Sequence, residues 1–110
     1  MTVNEYQRLA RRTQNENLNQ EQREDHALHG MAAELGEIHS IYQKELQGHE
    51  FSTAHVMSEL GDMLWFMAEL ADVLGLTLEQ IAAHNVDKLR ARYPEGFDAD
   101  RSMHRADGDI

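Results

Sequence analysis

Two short acidic motifs echo each other along the chain: Glu34-Leu-Gly-Glu37 and Glu59-Leu-Gly-Asp62. In each, carboxylates three residues apart share one helical face, separated by ~4.5 Å along the axis. Each pair borders an apolar stripe, Glu34 beside Met31 and Leu35, Glu59 beside Val56 and Leu60. The carboxylates are therefore expected to face a neighbouring helix rather than bulk water. A helical Gly costs ~1 kcal/mol relative to Ala, and both motifs contain one, Gly36 and Gly61. Close approach of the two helices is the expected reason. Four converging carboxylates raise one another's pKa values unless a cation lies among them. An all-oxygen set suits Mg2+, with Mn2+ as a substitute, and leaves positions for water and phosphate oxygens. One Glu-x-x-Glu pair alone is ordinarily a solvated helix face. Two pairs, each beside an apolar stripe and each carrying a Gly, favour a metal site.

The elements that must position these groups are helical. Pro occurs once, at Pro94, and β-branched runs are few, so an all-α chain is expected. Thr2-Val-Asn-Glu5 reads as a capping box for a first helix ending near Arg12. The polar stretch Thr13–Arg23 reads as a loop. Leu28, Met31, Leu35, Ile38, Tyr42 and Leu46 trace one face of a second helix, Glu24–Leu46. Ser52 or Thr53 caps a third, which stops at Gly75. Thr77-Leu-Glu-Gln80 is a further capping box, opening a fourth helix that runs to Tyr93. Residues 98–110 read as a polar tail of one domain spanning 1–110. In the third helix, Met63-Leu-Trp-Phe-Met67 is apolar all round, more than four short helices cover easily. It is either the central core helix of a monomer or, the favoured reading, part of a four-helix, bundle-type fold that packs against a second subunit, as a homodimer or tetramer.

Composition narrows the function classes. The 110 residues include 20 acidic and 10 basic side chains, for a formal charge of -10. That balance argues against general binding to duplex nucleic acid, which needs clustered Lys and Arg. The absence of cysteine removes disulfides and thiolate chemistry and suits a reducing cytoplasm. No run approaches the ~18 apolar residues of a membrane helix, and no signal-peptide pattern follows Met1. Neither GxxxxGK[ST] nor GxGxxG occurs, so the common glycine-rich phosphate cradles are excluded at motif level. His26 and His29 are spaced to share a metal, but without an HExxH motif the histidines are expected to be scattered on the surface.

The paired motifs resemble the signature of the MazG-like, all-α nucleoside triphosphate pyrophosphohydrolases. Three blocks carry the likeness in order: His29-Gly-Met-Ala-Ala-Glu-Leu-Gly-Glu37, Glu59-Leu-Gly-Asp-Met-Leu-Trp65 and Asn85-Val-Asp-Lys-Leu-Arg-Ala-Arg-Tyr-Pro-Glu-Gly-Phe97. Ala33 departs from the pattern, since many members have a further Glu there; the four carboxylates are intact. The resemblance implies Mg2+-dependent hydrolysis of a nucleoside triphosphate to the monophosphate and pyrophosphate, as nucleotide-pool house-cleaning. Glu34, Glu37, Glu59 and Asp62 are then metal ligands, with Glu34 or Glu37 accepting the proton of the attacking water. Related alternatives are a phosphoribosyl-ATP or a dUTP/dCTP-type pyrophosphohydrolase. An alternative of another class is a non-catalytic helical dimer that binds nucleotide or a protein partner.

Substrate contacts are less sharply marked. Asn85, Lys88 and Arg92 form a polar stripe on the fourth helix, as phosphate ligands or as complements to the helix dipole. The resemblance favours phosphate binding for Asn85 and Lys88. Lys44, two turns beyond Glu37, is a further candidate. Trp65 follows Asp62 by three residues and is placed either to stack on a base or, as is commoner for Trp, to pack in the core.

Overall fold

The computed structural model describes residues 1–110 and is all-helical. Helix α1 spans Val3–Ala10 and runs into a 3-10 turn at Arg11–Thr13; α2 is Gln20–Leu46, α3 Thr53–Val73, α4 Leu78–Arg92 and α5 Ala99–Met103. The chain forms two compact units, Met1–Leu78 and Glu79–Ile110.

In the first unit, α2 and α3 form an antiparallel hairpin. His26 meets Glu69 near one end, Gly30 lies under the Phe66 ring, and Tyr42 packs edge-on against Phe51 near the other. Both helices end alike. The N–H of His49 bonds the Lys44 carbonyl and that of Gly48 the Glu45 carbonyl; Leu76 and Gly75 do the same to Ala71 and Asp72. These are Schellman closures, and they require the left-handed backbone that Gly48 (φ 97) and Gly75 (φ 70) adopt.

Helix α2 begins earlier than its apolar stripe suggests. Asn19 accepts from the Gln22 N–H, and the Gln22 side chain accepts from the Asn19 N–H, a complete capping box. The expected loop therefore ends at Asn19. Its last residues are helical because a cap and good helix formers suffice on a solvated first turn, where no apolar stripe is needed. Gln20 then donates to the Val73 carbonyl, tying the start of α2 to the end of α3.

Helix α1 is locked to α3 by polar contacts. Gln7, only 2% exposed, donates to Asp72 Oδ1 and the Leu76 carbonyl and accepts from the Leu78 N–H. Arg11 grips the Asp72 carboxylate with two bonds. Burial alone raises the Asp72 pKa, but the hydrogen bonds from Arg11 and Gln7, with the charges of Arg11 and Arg23, hold it below the usual value. The apolar core beneath consists of Ala68, Ala71 and Leu78, with Tyr6 and Ala10 packed on them.

The glycines of the acidic motifs are not where the helices come closest. A Cβ on Gly36 or Gly61 meets nothing, whereas one on Gly30 overlaps the Phe66 ring. That ring is held edge-on by His26 and Trp65, so it has little freedom to move aside. Gly30→Ala is expected to destabilise the chain by about 1–3 kcal/mol through overpacking. Gly61→Ala should instead gain up to about 1 kcal/mol of helix propensity. Urea denaturation of both variants checks the contrast, and equal midpoints would count against it.

In the second unit, the expected polar tail is partly ordered. Asp98 caps α5 by accepting from the Asp100 and Arg101 N–H groups. Asp109 pairs with Arg92 through two bonds of 2.9 and 2.7 Å. A tail without apolar periodicity is still organised where a cap and a bidentate ion pair supply the contacts.

Candidate functional site

Glu34 lies near the middle of α2, and Glu59 and Asp62 lie in the first half of α3. Because the hairpin is antiparallel, these positions meet across it. Oxygen atoms of Glu34, Glu59 and Asp62 all lie within 4.8 Å of one another, with Glu59 buried, Glu34 half-buried and Asp62 exposed. The hydrogen bond with Glu59 is the largest influence on Glu34. Together with burial and the charges of Glu59, Asp62 and Glu37, it pushes the Glu34 carboxyl up from 4.5 to about 7. Glu34 Oε2 is buried and has no hydrogen-bond partner. A buried acceptor left unpaired costs about 1–3 kcal/mol, and a divalent cation satisfies both that oxygen and the crowded charge. The donor set therefore fits a hard cation such as Mg2+ or Mn2+.

Glu37, the remaining carboxylate of the paired motifs, lies outside this group of three. A three-residue step turns it about 60° around α2 from Glu34, and it is exposed. There it lines a cleft of about 450 Å³ with Ser40, Lys44, His49, Ser52 and His55. Lys44 thus shares a concave surface with Glu37.

Trp65 is half-buried. Its indole N–H donates to the Ala10 carbonyl and Thr13 Oγ1, 3.0 and 2.9 Å away. Its polar atom therefore anchors the end of α1 and the following turn. In the second unit, Asn85 is exposed and Lys88 lines a cleft of about 690 Å³. Arg92 lines the same cleft, but its guanidinium is engaged by Asp109.

The histidines are exposed, as expected, but several of them also have definite carboxylate partners. His55 Nε2 is 3.3 Å from Glu59 Oε1, His26 Nδ1 is 2.6 Å from Glu69 Oε1, and His104 pairs with Asp100. The four-residue spacing from His55 to Glu59 was a usable sequence signal, since such residues are neighbours on a helix. The His26–Glu69 pair was not, because it depends on how α2 and α3 align. The anchoring role of Gln7 was hidden for the same reason.

An all-helical chain with an acidic cluster between antiparallel helices presents a candidate metal centre. Residues 22–97 match the MazG nucleotide pyrophosphohydrolase domain, and the chain belongs to that family. The gene 37 protein of Mycobacterium phage L5 is 31% identical over 72 residues, covering 61% of this chain and 63% of that protein. No solved structure matches the chain.

Proposed function

We propose that the chain is a Mg2+-dependent nucleotide pyrophosphohydrolase, converting a ribo- or deoxyribonucleoside triphosphate to the monophosphate and pyrophosphate. The observation that carries this is the group Glu34, Glu59 and Asp62, with its unpaired buried oxygen, in a MazG-domain chain. These three side chains would hold the cation, and Glu37 would complete the set from the cleft. When bound, the cation supplies charge neutralisation of the polyphosphate and acidifies an attacking water. Glu37 is exposed at the cleft and outside the group of three, which suits it to receive the proton of that water better than Glu34. His55 would orient Glu59 from one turn away.

Lys44 is placed to offer positive charge at the cleft beside Glu37, and Asn85, Lys88 and Arg92 are assigned to the substrate's phosphates. Trp65 would meet a base only through its ring, because its N–H is engaged. Mn2+ is expected to replace Mg2+. The net charge of -10 disfavours duplex nucleic acid as a partner. No helix is long and apolar enough to cross a membrane; the role proposed is removal of surplus or noncanonical nucleotides in the cytoplasm.

A homodimer or tetramer of bundle type is part of the proposal. Leu28 and Leu35 form one apolar stripe on α2, and Leu60, Leu64 and Met67 another on α3; all five are exposed, Leu60 by 53%. Stripes of this kind ordinarily lie in an interface. Equilibrium sedimentation should give at least twice the 12.6 kDa chain mass.

Pyrophosphate release from a panel of nucleoside triphosphates, with Mg2+ and with chelator, tests the activity. Release from one or more nucleotides only with the metal supports it. Binding without release would instead support a non-catalytic nucleotide-binding protein. Phosphoribosyl-ATP, dUTP and dCTP belong in the panel, because the carboxylate group has no preference among bases.

A further inference from the structure

The second unit places a carboxylate of its own against the arginine assigned to the substrate's phosphates. A cleft of this unit, about 690 Å³, is lined by Lys88, Arg92, Arg101 and Arg105, together with Asp87, Asp107 and Asp109. Four of the chain's 10 basic residues therefore line one cleft in a molecule of net charge -10. Such a concentration of cations attracts an anion. The anion already there comes from the chain itself. Asp109 lies across the Arg92 guanidinium with bonds of 2.9 Å from Nε and 2.7 Å from Nη2. The two side chains are only 9% and 16% exposed. The fork geometry that a guanidinium offers to a carboxylate is the one it offers to a phosphate. The charges of Arg92, Arg105 and Lys88 all favour the ionised Asp109, so three of the four cations act on one carboxylate. The segment arrives by a tight turn, closed by the Asp109 N–H on the Ala106 carbonyl. It has no buried apolar residue to hold it down.

We propose that Asp107–Asp109 is an internal plug of this basic cleft, with the Asp109 carboxylate standing where a phosphate group of a ligand binds, so that a polyphosphate must displace it. This rests on the assignment of Arg92 to substrate phosphates. It adds an autoinhibitory contact to that assignment. An internal competitor lowers apparent affinity by the fraction of molecules in which the cleft is open. Removing the competitor restores affinity without adding a contact.

The test is titration of tripolyphosphate into the full chain in the presence of chelator, followed by calorimetry. Asp109→Asn is expected to bind about three- to tenfold more tightly than the unaltered chain. Asp107→Asn, which removes the same charge but leaves the Arg92 pair, should gain less than twofold by the same reasoning. Arg92→Gln should weaken binding and erase the benefit of Asp109→Asn in the double variant. Equal affinity of Asp109→Asn and the unaltered chain overturns the plug, as does an equal gain from Asp107→Asn. A second measurement needs no variant. The amide resonances of Gly108 and Asp109 should shift as tripolyphosphate is added, and their remaining fixed at saturation also overturns it. Because these readouts need neither metal nor turnover, a failure of pyrophosphate release leaves them standing, and a failure here leaves the hydrolase assignment standing.

Discussion

Glu34→Gln is expected to lower kcat/KM for metal-dependent pyrophosphate release by on the order of 10³-fold or more. Glutamine has the same length and nearly the same volume, so packing between α2 and α3 is preserved. What it lacks is the charge. Glu34 is one of three carboxylates whose oxygens lie within 4.8 Å, and its Oε2 has no partner in the protein. The metal-free chain should respond in the opposite sense. Glu34→Gln removes repulsion with Glu59, Asp62 and Glu37, the charges that act on Glu34, so this variant should melt higher than the unaltered protein in chelator. It should also lose most of the stabilisation that Mg2+ or Mn2+ gives the unaltered protein. Lower activity coupled to higher metal-free stability distinguishes a ligand carboxylate from a structural one. Undiminished turnover in Glu34→Gln would falsify the assignment. Glu37→Gln provides the contrast. Glu37 lies outside the group of three, so its loss should reduce kcat while leaving most of the cation-induced rise in melting temperature.

The metal-free protein should lose stability as pH rises from about 4.5 to about 7, the span between the ordinary and the raised Glu34 pKa. The sign follows from linkage. In that window the folded chain holds a proton on Glu34 that the unfolded chain has released, so raising the pH favours unfolding. Asp72 acts oppositely and lower down. Its pKa is held below 3.8, so its pairing with Arg11 and Gln7 is intact above that value and is lost as pH falls through its folded pKa. Divalent cation reverses the first trend. Binding to deprotonated Glu34 releases its proton, so metal affinity rises with pH until about pH 7 and then levels off. Thermal melts at about pH 5, 6, 7 and 8, in chelator and in excess Mg2+, provide the check, the lower values lying inside the window and the highest about one unit above it. The expected result is a gap between the two curves that widens with pH and then becomes constant. Parallel curves would show that Glu34 does not exchange its proton for a cation.

An excess of acid is consistent with a polyanionic substrate on these terms. The carboxylate group repels a bare triphosphate, and positive charge must come from the cation and from basic side chains. In the second unit those side chains are concentrated around one cleft, where Asp109 already lies on Arg92. The basic residues available for phosphate are thus fewer in the resting chain than their number in the sequence implies.

Much of the fold was legible from local pattern. Thr2 caps α1, Ser52 caps α3, and α3 closes at Gly75, each through chemistry carried by a few neighbouring residues. The apolar stripe marks the start of α2 too late, because its first turns carry none, whereas the Asn19 and Gln22 cap marks it correctly. Residues 98–110 were read as a tail because α5 is one short turn, and the Arg92–Asp109 pair spans 17 positions. Gly36 and Gly61 were linked to close helix packing because they break a propensity rule, but the tight contact is at Gly30 against Phe66.

Three motif blocks carried the likeness to the MazG family, and local pattern was enough to show a helical chain with paired carboxylates on its second and third helices. The pairing of carboxylates depends on spacing within a helix, which a turn of 3.6 residues makes nearly independent of context. Which carboxylates meet follows from the packing of α2 on α3. The alignment of α2 against α3 brings Glu34, Glu59 and Asp62 within 4.8 Å and leaves Glu37 on the neighbouring cleft. That alignment depends on side chains that interlock across the hairpin, Phe66 over Gly30 and Tyr42 against Phe51. Such contacts join residues far apart in the chain, and no local spacing encodes them.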